Sequence, residues 1–81
     1  MITPAQAGQQ VSEAVKTHIA ISGMTRKAIY TRANMSRDTF DRRLAAGESF
    51  TIAELVRIAD VLRISPAQLT MPVMREEALA S

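Results

Sequence analysis

The stretch that decides the fold runs from residue 24 to residue 46 and reads MTRKAIYTRANMSRDTFDRRLAA. Thr25 and Ser36 belong to the residue types that cap helix N-termini, and each precedes a short segment with apolar residues at helical spacing. Asn34, between the two segments, tolerates the left-handed backbone conformation that ends helices. The pattern predicts two short helices joined by a tight turn, which is a helix-turn-helix over residues 25–46. The predicted helices are 26–32 and 37–46.

The apolar positions of this unit separate an inner face from an outer face. The residues expected to face inward are Ile29, Ala33, Met35, Phe40 and Leu44. If Phe40 and Leu44 face the core, helical geometry turns the polar residues of the second helix outward. The outward set is Asp38, Asp41, Arg42 and Ala45, with Arg37 and Arg43 on the flanks. Gly47 is expected to stop this helix.

Helix punctuation recurs on both sides of the unit. Thr3 and Pro4 suit the start of a first helix that runs to about residue 21 and ends at Ser22-Gly23. Thr51 and Glu54 form a capping box at the start of a helix over 52–63. A last short turn is expected over 65–69.

Two apolar stripes accompany these helices and define the expected core. The stripe of the first helix is Ala7, Val11, Ala14, Val15, His18 and Ile19, and that of the fourth is Ile52, Leu55, Val56, Ile58, Ala59 and Leu62. The sequence contains no sustained alternation of apolar and polar residues, so it predicts no strand. We therefore expect an all-α, compact five-helix domain over residues 1–70 and a C-terminal tail over 71–81.

Composition narrows the classes of function. The chain has 81 residues, no cysteine and a single histidine. These counts exclude a disulfide framework, a thiolate metal site and a cysteine nucleophile, and they argue against a histidine-built metal site or a Ser-His triad. The longest apolar runs, such as residues 19–21, have three residues and are far too short to span a bilayer. We expect a non-enzymatic binding module that needs no cofactor, no small-molecule ligand and no membrane.

The distribution of charge says more than its total. The formal net charge is only +2, but seven cations and two acids lie between Lys16 and Arg43, whereas three cations and six acids occupy the rest of the chain. A cation that meets a phosphate releases condensed counterions, so a basic segment favours nucleic acid. A solvated basic face is the alternative interpretation.

The residues of this basic segment resemble a known group of DNA-binding proteins. The stretch MTRKAIYTRANMSRDTFDRRLAAG, followed by FTIAELVRIADVLRISPAQL, is similar to the helix-turn-helix of lambda-repressor/Cro-like regulators of the xenobiotic-response-element type. The resemblance covers residues 24–69, and SRDTFDRRL followed by a phenylalanine-threonine cap is especially like small repressor and Cro proteins of actinobacterial phages and prophages. It implies a lambda-repressor-like fold whose second motif helix enters the major groove.

Three residues depart from the pattern of that group. Tyr30 stands where a small residue is usual, Asn34 replaces a common glycine, and Arg43 replaces a common inward aliphatic residue. We expect Leu44 to take over the inward position and Tyr30 to lie along the surface with its hydroxyl free for a phosphate. These departures affect the expected crossing angle of the two helices more than they affect the assignment of the helix-turn-helix.

The candidate site residues fall into two sets. The base-reading set is Arg37, Asp38, Asp41 and Arg42, because arginine can bind guanine bidentately and aspartate can accept from cytosine N4. A phosphate contact, or a salt bridge to one of the aspartates, is the alternative for the arginines. An orienting role is the alternative for the aspartates. The phosphate-binding set is Thr25, Arg26, Lys27, Ser36, Thr39 and Arg43. These residues lie near helix starts or carry a positive charge, and both features favour contact with phosphate oxygens. Capping alone suffices to explain Ser36.

The expected function is therefore that of a transcriptional regulator that binds double-stranded operator DNA in the cytoplasm of a bacterial or phage-infected cell and blocks promoters. One unit touches few base pairs, so a homodimer is expected, at least on DNA, with Met71, Val73, Met74 and Leu79 as candidate contacts. Two alternatives stay open. One is an antitoxin or anti-regulator that binds a protein through the same fold, and the other is a recombination-directionality or architectural DNA-binding factor.

Overall fold

The structure is a computed structural model that describes residues 3–45 and 48–70. Within these residues the chain is helical and contains no strand, which confirms the all-α prediction. The helices are α1 (Pro4–Ser22), α2 (Arg26–Arg32), α3 (Arg37–Leu44) and α4 (Ile52–Leu62). A fifth helical segment, residues 67–70, reaches the end of the described range. The predicted tail, 71–81, lies outside the described residues, as do the candidate dimer contacts on it.

The helix starts confirm the predicted caps. The side-chain oxygen of each N-cap residue accepts the backbone N–H of the third residue after it, and the N-caps are Thr3, Thr25, Ser36 and Thr51. Each cap of this kind stabilises a helix by about 1 kcal/mol because it satisfies a donor that would otherwise lack a partner. The boxes at Thr3 and Thr51 are reciprocal, since the side chain three residues on accepts the cap's own N–H.

The observed helix ends agree less closely with the ends that the sequence predicts. Gly23 ends α1 with a φ of 72°, as expected. The helix predicted over 37–46 ends at Leu44 instead, and Ala45 is its C-cap. The hydroxyl of Ser12 on α1 donates to the carbonyl oxygen of Arg43 at 2.8 Å, so a side chain from another helix satisfies a carbonyl at this end. Residues 46 and 47, including the predicted stop, lie outside the described range.

The core lies where α1, α2, α3 and α4 meet. The most extensive contacts are those of α1 with α3 and α4, and those of α2 with α3 and α4. The buried apolar residues are Val15, Ile19, Ile29, Ala33, Met35, Phe40, Leu44, Phe50, Leu55, Ile58, Ala59 and Leu69. Every inward position predicted for the helix-turn-helix is in this set. Leu44 also takes the inward position, as predicted from the departure at Arg43.

Two positions of the predicted α4 stripe are wrong. Ile52 is 74% exposed and Val56 is 47% exposed. The buried residues of α4 are Glu54, Leu55, Ile58 and Ala59, so its inner face includes a carboxylate. Because Glu54 faces the core, the helix is rotated about its axis relative to the purely apolar stripe, and Ile52 and Val56 point outward.

Two further positions correct the sequence interpretation. Ser12 on α1 is buried, although it was not assigned to the stripe. Tyr30 is half-buried and not laid along the surface, because its ring packs against Phe40 with a centroid separation of 5.8 Å. Phe40 in turn meets Phe50 edge-on at 6.4 Å. These three rings connect α2, α3 and the segment before α4.

Candidate nucleic-acid interface

The turn between α2 and α3 has the geometry that its sequence predicts. Asn34 has a φ of 58°, in the left-handed region. The N–H of Asn34 donates to the carbonyl of Thr31 at 3.2 Å, and the N–H of Met35 donates to the carbonyl of Tyr30 at 2.8 Å. The Met35 side chain is buried between the helices. The turn therefore holds α3 in a defined direction relative to α2.

The face of α3 that points away from the core is polar. Phe40 is fully buried and Leu44 nearly so. The base-reading candidates Arg37, Asp38, Asp41 and Arg42 are all exposed, as predicted. Thus α3 is attached to the core through one side and presents charged side chains on the other, two arginines and two aspartates.

Both exposed arginines of α3 face a carboxylate. The Nε atom of Arg37 lies 3.6 Å from Oδ2 of Asp41, one helical turn away. The Nε atom of Arg42 lies 3.7 Å from Oε1 of Glu48, in the segment that leads to α4. Exposed pairs of this kind contribute only about 0.2–1 kcal/mol, so they bias the direction of each arginine without tying up all of its donors. Asp41 thus stands in the orienting relation to Arg37 that the sequence offered as an alternative to base contact.

Arg43, a candidate phosphate ligand, is engaged inside the protein instead. Its Nε donates to Oε1 of Glu54 at 3.0 Å and its Nη2 to Oε2 at 3.4 Å. Its Nη1 donates to Glu48. The side chain is 14% exposed, and the hydrogen bond that it donates to Glu54 is the main reason why the pKa of Arg43 is raised. With all three guanidinium nitrogens occupied, we remove Arg43 from the phosphate-binding set.

Glu54 is the buried partner in this arrangement. Burial by itself raises the pKa of Glu54, but the hydrogen bonds from the Arg43 guanidinium and the Thr51 backbone N–H outweigh it, and the net pKa is lowered. The sequence predicted the capping box and missed the ion pair. A usable signal was present: Arg43 stands where the group that the sequence resembles commonly has an inward aliphatic residue, and an arginine that packs inward needs an acidic partner.

The start of α2 carries exposed cations beside α3. Thr25, Arg26 and Lys27 are exposed, and the Thr25 hydroxyl oxygen accepts the N–H of Ala28. One shallow depression is lined by Lys16, Arg26, Asp41, Leu44 and Ala45, so it brings α1, α2 and α3 together. A second is lined by Thr25, Lys27, Ala28, Thr31 and Arg32. Lys16 and Arg32 were not assigned to the site from sequence, although both belong to the basic segment.

The remaining two phosphate candidates interact with each other. The Ser36 oxygen accepts the N–H of Thr39 at 3.2 Å, and the Ser36 hydroxyl lies 2.9 Å from the Thr39 oxygen, to which it donates. The capping role of Ser36 is therefore confirmed. A role for either hydroxyl in phosphate binding stays a prediction.

Two side chains from outside the unit hold its helix ends. The Ser12 hydroxyl binds the Arg43 carbonyl at the end of α3, and Nε of Arg57 donates to the Ala33 carbonyl at the end of α2 at 2.8 Å. Each contact satisfies a carbonyl at a helix end. Sequence reasoning missed both, because the partners are 31 and 24 residues apart.

Comparisons with protein-family models, curated proteins and solved structures found no match. Over residues 3–45 and 48–70, no group of three or more His, Asp or Glu side chains is placed to hold a metal ion. Over the same residues, no helix combines the length and the apolar character that crossing a bilayer requires. The charged surface of α2 and α3 is thus the feature on which a function can be argued.

Proposed function

We propose that this protein is a sequence-specific regulator of transcription that binds double-stranded DNA with α3 in the major groove. The observation that carries the proposal is the two-sided character of α3. Phe40 and Leu44 are buried, while the opposite face presents Arg37, Asp38, Asp41 and Arg42 beside the cations at the start of α2. The resemblance of residues 24–69 to lambda-repressor/Cro-like regulators supports the same assignment.

The dimensions of α3 suit this role. The major groove is about 12 Å wide and admits an α-helix, whose diameter with side chains is about 10–12 Å. The eight residues of α3 span about 12 Å at 1.5 Å per residue, so this helix reaches only a few base pairs. Arg42 and Arg37 are the proposed guanine ligands, through bidentate contact with O6 and N7. Asp41 orients Arg37, and Asp38 is the candidate acceptor for a cytosine amino group.

Phosphate contacts are proposed on either side of the reading helix. The candidates kept from the sequence are Thr25, Arg26, Lys27, Ser36 and Thr39. Lys16 and Arg32 join them because they line the same depressions. Among the described residues, Arg26, Lys27 and Arg32 form no salt bridge, so their charge is available to DNA.

Regulation would follow from occupancy, because a bound protein blocks polymerase at a promoter. One α3 reads only a few base pairs, so we propose that two copies bind a two-fold operator. The half-sites would then be separated by about one helical turn of DNA.

A protein-binding module is the second candidate function, and one observation favours it. Ile52 and Val56 lie four residues apart on α4 and are both exposed, so they form a small apolar surface. Such a surface suits contact with another protein, whether a second copy of this chain or a regulated partner.

Selection of bound duplexes from a random library tests the DNA proposal, followed by affinity measurements across salt concentrations. If Lys16, Arg26, Lys27 and Arg32 each neutralise one phosphate, log affinity should fall against log salt with a slope of about −3 to −4 per protomer. An enriched motif with this slope supports the proposal. No enrichment together with a flat salt dependence would contradict it and favour the protein-binding module.

A further inference from the structure

We infer that Glu48 is a specificity-determining residue, which neutralises and orients Arg42 so that this arginine contributes to binding only where a guanine edge is present. The inference rests on the proposed function, since it concerns the same DNA-reading surface. It assigns a role to an acid that lies beside, and not on, the reading helix. Three features of the structure support it.

The first feature is a fixed anchor in α4. The Thr51 N–H donates to Oε1 of Glu54 at 2.8 Å, and Glu54 is only 7% exposed. This carboxylate receives two nitrogens of Arg43. Arg43 is therefore held by a planar, two-point contact that leaves its third nitrogen in a set position.

The second feature is the use of that third nitrogen. Nη1 of Arg43 donates to Oε2 of Glu48. The other oxygen of the same carboxylate, Oε1, faces Nε of Arg42 at 3.7 Å. Glu48 thus bridges a half-buried arginine and an exposed one, and the buried carboxylate of α4 positions it through Arg43.

The third feature is the atom of Arg42 that faces Glu48. Because the carboxylate approaches Nε, the terminal Nη1 and Nη2 groups are the ones left for the bidentate contact with guanine O6 and N7. Glu48 can stay in place while a guanine is bound. A phosphate can accept the same two groups, but it carries a full negative charge, which the carboxylate of Glu48 repels more strongly than it repels a neutral guanine edge.

The consequence is a difference between matching and random DNA. On random duplex, Arg42 meets phosphates only, and Glu48 opposes that contact. On the selected site, the orientation that Glu48 imposes offsets the repulsion. Glu48 therefore lowers affinity for wrong sequences more than for the right one, which is discrimination by a repulsive element.

The test compares the intact protein with Glu48→Gln and with the charge-matched control Asp60→Asn. Asp60 is exposed on α4 and forms no salt bridge with a described residue. Affinity for the library-selected duplex and for a random duplex is measured across salt concentrations. For Glu48→Gln we expect a random-duplex salt slope steeper by about 0.9 per protomer, and affinity for that duplex about 3–10-fold tighter near 0.1 M salt.

Affinity of Glu48→Gln for the selected duplex should change by less than about twofold, so that the ratio of selected to random binding falls. Equal changes on both duplexes, or the same changes in Asp60→Asn, would overturn the inference and leave the proposed function intact. Failure of the unaltered protein to bind any duplex would overturn both. A measurement without DNA tests the inference about Glu48 independently of the proposed function. The Arg42 Nε–H resonance should shift and exchange faster in Glu48→Gln, and an unchanged resonance would also overturn the inference.

Discussion

The attachment of α3 to the core depends on very few apolar atoms, and Phe40 supplies most of them. Six of the eight residues of α3 are polar or charged, and only Phe40 and Leu44 are buried. Phe40 has no exposed surface and contacts the rings of Tyr30 and Phe50. Truncating Phe40 should therefore loosen the packing of α3 on the core and lower the stability of the whole domain.

The expected magnitude follows from this environment. Replacing a buried phenylalanine by alanine costs about 3–5 kcal/mol through lost burial and the cavity left behind. A domain of 81 residues typically has about 4–12 kcal/mol of stability in total, so Phe40→Ala should remove between about a quarter and all of it. Phe40→Leu keeps most of the volume and loses two ring contacts, each worth about 0.5–1.5 kcal/mol, for a total of about 1–3 kcal/mol.

Urea unfolding followed by circular dichroism measures the loss for Phe40→Leu, and Phe50→Leu is the matched control that removes one ring contact. The leucine variant at Phe40 should lower the unfolding midpoint more than the control, with an unchanged dependence on urea concentration. Amide exchange should accelerate first in α3, because Leu44 is its one other buried residue. A loss below about 0.5 kcal/mol for Phe40→Leu would refute the reasoning, since ring contacts would then contribute nothing measurable.

Four further predictions address single contacts. The folded pKa of Glu54 is depressed, so its ion pair should stabilise the fold above an unfolded pKa of about 4.3 and be lost as pH falls through the folded value. Glu54→Gln should flatten the acid side of a melting-temperature profile. Arg57→Met should cost about 1–3 kcal/mol in urea unfolding because the Ala33 carbonyl loses its charged donor, while Arg57→Lys recovers part of it. Asn34→Gly should be neutral or stabilising, whereas Asn34→Val should lower thermal stability by about 1–2 kcal/mol through left-handed strain. Arg42→Ala should cost about 1–3 kcal/mol on the selected duplex and relax base preference there, and an equal loss on random duplex would mark a phosphate contact.

Some features of the candidate site depend on local sequence and could be predicted, whereas others depend on contacts between distant segments and could not. The outward direction of Arg37, Asp38, Asp41 and Arg42 was predictable, because two buried residues define the face of a short helix. The loss of Arg43 to an internal ion pair was not, because its partner belongs to another helix. The contributions of Lys16 and Arg32 to the basic depressions also depend on how the helices are placed.

The sequence by itself determined the helix starts, the turn at Asn34 and the inner face of the helix-turn-helix. These features depend on contacts within about four residues, such as a hydroxyl that accepts the N–H three positions on, or an apolar repeat. Only the tertiary structure decided the rotation of α4, the early end of α3 and the pairing of Arg43. Each of these results from a contact between distant segments. In each contact a buried hydroxyl or carboxylate occupies a position that the apolar repeat does not predict to be buried. The physical reason is that a buried polar group must find its partner wherever the packed helices bring one.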